Sequence, residues 1–514
     1  MTFLLALPTL FSAFASLYAL YGLGLAIYRL WLSPLAKFPG PKLAAVTEWY
    51  EMYYNLFANG GEGGQFTRHI KKLHDQYGPI VRITPSELHI DDPEFHKELY
   101  CASTRAKPMD KSPRFKYRFG IPNATFSTTY AEQHRERRAA LAPFFSKQRI
   151  WSLHGKLSDI IERISARLAA EYAGTGRVLN VNDMWSSMTM DITTTLAFGR
   201  PANSAAAVDF KSPLSKGMQN ITWGAHWNAH FKFLNDMMGL IPDPIMGALL
   251  PPFKPILDFR ANIRSQIADI LARNSLKPDD SGTTIFHDII ASDLPPSDIT
   301  LERLTDEAIS INGAGMETTK WALTVATYHI LANAPIHARL KAELAAAMPN
   351  PALILPWDEL EKLPYLSAVI QETLRLSYGQ VQRIPRLNRL HPIHFGTYKI
   401  PANTALSMDA YHMHSNASIF PSPSTFAPER WLDDPKGPDG THPLSNYLVS
   451  FGRGSRVCLG RELAYMELFV ALATVFRRFE LELWETGRED ADFVLDIVVP
   501  MPRRTSKGVR VIIK

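Results

Sequence analysis

Residues 451–460 read Phe-Gly-Arg-Gly-Ser-Arg-Val-Cys-Leu-Gly, and a helical pattern begins directly afterwards at Arg461. Glycines at 452 and 454 permit a tight turn, and Gly460 removes a side chain beside Cys458, leaving room for something flat. A cysteine at the head of a helix meets unpaired N–H groups and the positive dipole end, which favour thiolate over thiol. The 514-residue chain has only one other cysteine, Cys101, so a disulfide framework is excluded and a reducing compartment is indicated. No further Cys or His stands nearby at metal-ligand spacing, which makes this a poor zinc site, since structural zinc wants four ligands.

One thiolate is nevertheless sufficient protein ligation for haem iron, whose porphyrin supplies four in-plane ligands. The competing reading is a lone cysteine packed inertly, and spacing decides between the two. Phe451-x-x-Gly454-x-Arg456-x-Cys458-x-Gly460 resembles the haem-binding signature of the cytochrome P-450 superfamily, the haem-thiolate monooxygenases. Three further family-like motifs stand in order. Ala314-Gly315-Met316-Glu317-Thr318-Thr319 resembles the oxygen-activating segment of a long distal helix. Glu372-x-x-Arg375 resembles the charged pair before the sheet region. Phe426-Ala427-Pro428-Glu429-Arg430-Trp431 resembles the segment whose arginine completes a triad with that pair. The resemblance spans nearly the whole chain and implies haem b as cofactor.

The composition agrees with a folded body: 46% hydrophobic, 20% charged and a net charge of only +5, its basic residues interleaved with acids, so no nucleic-acid partner is indicated. Met1 to Tyr28 carries no charge, and as a helix would reach roughly 40 Å, enough to cross a hydrocarbon core of about 30 Å. Arg29, Lys37 and Lys42 precede the first acid, Glu48, which places the downstream body in the cytosol. A cleaved signal peptide with Ala13-Phe14-Ala15 as its site is the rival; it lacks a basic n-region. A cytosolic body would leave the sequons at Asn123, Asn220 and Asn416 unglycosylated. Phe38-Pro39-Gly40-Pro41 cannot continue a helix. The division is therefore a transmembrane anchor (1–30), a Pro/Gly hinge (31–44) and one monooxygenase domain (45–514).

That domain is expected to be mainly α with a minor β-sheet region, the cytochrome P-450 fold by resemblance. Residues 79–90 suggest a hairpin about Pro85-Ser86, and 130–275 carry several amphipathic helical patterns. A long helix over 300–334 is ended by Pro335. Short extended segments run from Leu376 to about Ala410, then comes a helix over 461–478, and strands lie in the tail.

The motifs carry expected roles. Gly313 and Gly315 each cost about 1 kcal/mol in a helix, which close helix packing or close approach of a cofactor would offset. A Thr318 hydroxyl can bond back toward the carbonyl near Ala314 and open a groove, and Glu317 beside it supplies a carboxylate able to relay protons. Glu372, Arg375 and Arg430 read as a structural lock behind the cysteine loop. The resemblance implies Cys458 as iron ligand, with Phe451 and Gly460 beside it and Ala314 above the haem. Arg456, Arg386, Arg138 and His134 would meet the propionates, His134 standing where the family has Trp. Arg135, Arg137, Arg453 and Arg461 are candidates for a basic patch facing an electron donor. Phe119, Ile121, Phe126 and Val381 are expected pocket walls, and the apolar run Phe231 to Phe253 an access route facing lipid.

By resemblance the activity is oxygen insertion into a hydrophobic small molecule, a terpenoid ahead of a polyketide or alkaloid. Electrons would come from NADPH through a cytochrome P-450 reductase, with cytochrome b5 as a second donor. The expected setting is the endoplasmic reticulum membrane, with no obligate oligomer. The rivals are a reductase-independent haem-thiolate isomerase or dehydratase, against which Glu317-Thr318 argues, and a haem sensor.

Overall fold

The computed structural model describes residues 2–104, 107–273 and 284–514. The first helix, Thr2–Ile27, is made almost wholly of apolar residues. The stretch Phe11–Leu32 is long and apolar enough to cross a membrane, and none of it is buried in the protein. The segment after it is not a free hinge. Leu35 and Phe38 are buried in a cluster with Ile80, Leu88 and Ile90, and Arg82 donates from its backbone to Pro39 O at 2.7 Å and from its side chain to Arg29 O at 2.8 Å. Leu35 and Phe38 thus pack onto the body from within the expected hinge. Burying two large apolar side chains outweighs the freedom that the Pro-Gly pattern would otherwise allow.

A mainly helical body follows, with four small sheets among the described residues. The helix Leu301–Leu331 runs through its centre, capped by Thr300, whose side chain accepts from Arg303 N. Its flanks pack on Val181–Phe198, Lys254–Arg273, Pro364–Ser377 and Arg461–Arg478. Pro335 does not end the long helix. The chain turns at Ala332 and Asn333, and Pro335 sits in the first turn of the next helix, Ala334–Ala347, where a missing N–H costs nothing. Gly315 marks a close crossing: a Cβ there would overlap Thr193 Cγ2 on the neighbouring helix, whereas one at Gly313 would have ordinary room. Helix packing thus accounts for Gly315.

The hairpin Ile80–Thr84/Glu87–Ile90 forms as expected. It is one side of a five-stranded sheet that continues through Ala405–Ser407 (parallel to Glu87–Ile90), Arg386–Asn388 and Met109–Lys111. The tail strands Leu481–Leu483 and Arg510–Ile513 pair antiparallel and recruit Leu179–Asn180. A tight hairpin, Leu495–Ile497 with Val499–Met501, adds a pair the sequence pattern did not reveal.

Candidate functional site

The chain around Cys458 folds as its glycines require. Gly454 has φ +70°, and a Cβ there would overlap Tyr100 O, so only glycine fits. Val457 N donates to Gly454 O at 3.0 Å and Cys458 N to Phe451 O at 2.8 Å, closing the turn that feeds the helix Arg461–Arg478. Nothing lies within 4 Å of where a Gly460 side chain would start. The Cys458 sulfur faces a cavity of about 370 Å³ whose wall is mostly apolar. Burial pushes its thiol up, against the Gly460 N–H and the charges of Arg138 and Arg461, which lower it. A cation bound to the sulfur would favour its ionised form.

Behind the loop lies the lock. Glu372 and Arg375 are fully buried. Arg375 Nε and Nη2 donate to the two Glu372 oxygens at 2.9 and 2.7 Å, and Arg430 Nε donates at 3.1 Å. Trp431 Nε1 and Ala427 N complete five donors to one carboxylate. Arg375 spends its remaining N–H groups on His414 O, Pro423 O and Thr425 O. His414 in turn joins Arg375 O, through Nδ1 at 3.0 Å, to Val449 N, which donates to its Nε2 at 2.9 Å. Ser450 Oγ donates to Leu374 O. The network therefore holds the residues immediately before Phe451.

The long helix presents Ala314, Gly315 and Thr318 to the same cavity. Thr318 Oγ1 donates to Ala314 O at 2.9 Å, the bond its position suggests. Glu317 does not reach the cavity wall. Its Oε2 accepts from Lys320 Nζ at 2.6 Å in a buried pair, because neighbouring residues on a helix point about 100° apart and Lys320 lies one turn on. The carboxylates that do line the cavity, Glu307, Asp409 and Glu467, were missed. Glu467 follows Cys458 by nine residues, on the helix face shared with Leu463; burial pushes its carboxyl up to about 8.

Part of the cavity wall is cationic. Lys111, His134, Arg138, Arg386 and Arg456 all line it. Lys111 and Arg386 stand directly opposite one another in the sheet register, an arrangement that costs energy for like charges. Among the described residues, no carboxylate lies within ion-pair distance of Lys111, Arg138, Arg386 or Arg456. Burial and then Arg456 and Arg386 push Lys111 well below its ordinary value, and burial with Arg386 lowers Arg456 to about 9. His134 falls to about 2, from burial and the surrounding cations, so its ring stays neutral. Arg456 meanwhile donates to Thr128 O and Thr129 O, which aims it. Cations gathered without counterions fit a dianion, and a porphyrin with two propionates would meet them while its iron meets the cysteine sulfur. Lys111 escaped the sequence reading because its place is set by strand pairing with residue 386, far along the chain.

Other expected residues part company. Phe126 lines the cavity, with Phe119 against its ring at 5.9 Å, but Phe119, Ile121 and Val381 do not line it. Gln380, Gln382 and Ile384 take the wall instead: in extended backbone, side chains alternate, and Val381 falls on the other side. Ile121 packs on Ala124 and Ile309. Arg137 is not on a basic surface. It is buried, with a bidentate pair to Asp298 at 2.9 and 2.6 Å. Arg453 lines the cavity, Arg461 pairs with Glu462, and Arg135 is exposed. Phe233, Met237, Leu240, Ile245 and Leu249 in the 231–253 region are exposed.

Comparison with known proteins agrees with this geometry. Residues 46–506 match the family described as Cytochrome P450. The chain is 39% identical to Cytochrome P450 monooxygenase sdnE of Sordaria araneosa, covering 96% of each. It is 41% identical to Cytochrome P450 monooxygenase orf6 of Eupenicillium brefeldianum (96% of this chain, 97% of the relative) and 41% to Cytochrome P450 monooxygenase MO6277 of Ascocoryne sarcoides, with the same shares. A match of this length and identity means that the chain belongs to the cytochrome P450 family and is a haem b oxidoreductase that incorporates oxygen from O2 into its substrate.

Proposed function

We propose that this monooxygenase is held at the cytosolic face of the endoplasmic reticulum by its N-terminal helix. It hydroxylates or epoxidises a hydrophobic small molecule of fungal secondary metabolism, a terpenoid, with electrons from NADPH through a separate reductase and cytochrome b5 as a second donor. The observation that carries this reading is the mostly apolar cavity lined by Cys458, Ala314 and Thr318 together. Haem, when bound, would supply the oxygen-activating chemistry, with an electron-rich cysteine ligand assisting it. Cys458 Sγ would hold that iron, while Arg138, Arg386, Arg456 and Lys111 would hold the propionates, with His134 as a neutral hydrogen-bond partner. Thr318 keeps its proton on Ala314 O, so its Oγ1 lone pairs remain to position a water in the cavity. For Glu317 to join that relay, its buried pair with Lys320 must first open.

Exposed apolar residues of the 231–253 region support entry of the substrate from lipid. The Asn123 side chain donates to Asp306 at 3.0 Å, which suits a sequon that stays unglycosylated. The test uses the full chain in lipid nanodiscs with reductase, NADPH and a panel of terpenoid hydrocarbons under ¹⁸O₂. Label in the product only when reductase is present supports the reading, and reductase-independent rearrangement without label overturns it. Cys458→Ser should abolish the long-wavelength Soret band of the reduced, carbon-monoxide-treated protein; a retained band overturns the assignment of the iron ligand.

A further inference from the structure

Three imidazoles meet outside the cavity. His74 lies in the last turn of the helix Phe66–Tyr77, His89 on the strand Glu87–Ile90 and His412 on the short helix Ala410–His414. All three are buried. In each ring one nitrogen is already committed to an acceptor. His74 Nδ1 donates to Gly78 O at 2.7 Å, His89 Nε2 to Asp409 Oδ2 at 3.1 Å and His412 Nδ1 to Asp409 Oδ1 at 2.8 Å. Asp409 also caps the helix by accepting from His412 N. Burial would raise the Asp409 carboxyl, but His412 and His89 outweigh it and hold it below the ordinary carboxylate range.

With those protons in place, each neutral ring keeps one lone pair, on His74 Nε2, His89 Nδ1 and His412 Nε2. His74 Nε2 and His89 Nδ1 are 2.8 Å apart, and His412 Nε2 is buried with no hydrogen-bond partner. A ligand-capable nitrogen from each ring lies within 4.8 Å of those of the other two. The ring centres are 5.0, 5.6 and 4.7 Å apart. Three imidazoles sharing one tetrahedral zinc, with Zn–N of about 2.1 Å, have ring centres about 5 Å apart. Outer nitrogens bonded to a carboxylate or a carbonyl are the arrangement that orients metal-bound histidines.

We propose that His74 Nε2, His89 Nδ1 and His412 Nε2 bind one borderline divalent cation, zinc first, with Asp409 as the shared carboxylate behind two of the ligands. The fourth tetrahedral position falls to water, and the closest nitrogen pair opens by about 0.5 Å to admit the ion. The alternative is a proton shared between His74 and His89. It would make one of these rings an imidazolium and would still leave the buried His412 Nε2 without a partner, which a shared cation would satisfy. The ion would tie together three segments distant in sequence beside Met408 and Asp409, which line the cavity.

The experiment uses the haem-loaded full chain, passed through EDTA, given equimolar zinc chloride and desalted. Metal counting should return about one zinc per chain besides the haem iron, and zinc K-edge absorption should show imidazole nitrogens at about 2.0–2.1 Å. His412→Gln and His74→Gln should lose the zinc, whereas His442→Gln, on the surface beside Asp439, should keep it. Zinc should also raise the urea midpoint of the unaltered protein, a readout that needs no variant. Fewer than about 0.2 zinc per chain, equal zinc in His412→Gln and wild type, or an unmoved urea midpoint would each overturn the site.

Discussion

Replacing Glu372 by Gln keeps the shape of the lock and removes its only acid. Five donors converge on this carboxylate, three of them from Arg375 and Arg430. The amide retains one oxygen and turns an NH2 group toward donors, leaving two guanidinium charges short of a counterion. Arg375 has no exposure to water that could relieve it. Breaking a buried pair in this way costs about 3–5 kcal/mol, against a total stability of about 5–15 kcal/mol for a typical fold. The exposed pair Lys147–Glu361 has nearly the same separation, 2.8 Å against 2.7 Å. Glu361→Gln should cost less than about 1 kcal/mol, because water screens it. Urea titration of both variants reads the two costs. Since His414 and Ser450 carry the lock to the cysteine loop, Glu372→Gln should also diminish the long-wavelength band of the carbon-monoxide complex. If the two substitutions cost the same within about 0.5 kcal/mol, burial is not what makes this network matter and the reasoning is wrong.

Gly315→Ala should destabilise by about 1–3 kcal/mol through overlap with Thr193, and Thr193→Ser should restore most of the loss; thermal melts of the single and double variants decide. Glu467 holds its proton more tightly folded than unfolded, so the stability it contributes is full below about pH 4.5 and is lost as pH rises toward 8. Glu467→Gln should flatten that slope, and a urea midpoint that falls equally in both proteins between pH 5 and 8 would contradict it. Lys111→Gln should weaken haem retention, read as faster transfer to apomyoglobin, while relieving charge repulsion in the haem-free chain. Thr318→Val should leave the carbon-monoxide spectrum unchanged but divert electrons to peroxide; full coupling in that variant would remove Thr318 from the proton relay.

Local pattern and motif spacing were enough for much of this molecule. Residues 451–460 carry their own turn, because glycine positions and helix onset are properties of adjacent residues. The hairpin at 79–90, the long helix from 301 and the helix Arg461–Arg478 follow from periodicity in the same way, and the Thr318 bond to Ala314 follows from helical spacing. Tertiary contacts decided the rest. The stretch around Phe38 packs because Ile80 and Leu88 wait for it, and Glu317 turns away because Lys320 is free to take it. Val381 leaves the wall to Gln380 and Gln382 because a one-residue step in extended chain reverses the side. The cation wall exists because strand pairing sets Lys111 across from Arg386, and the imidazole cluster because helix, hairpin and cavity wall converge on Asp409. A single sequence records which residues are neighbours along the chain, whereas burial, register and unpaired charge depend on partners tens to hundreds of residues away.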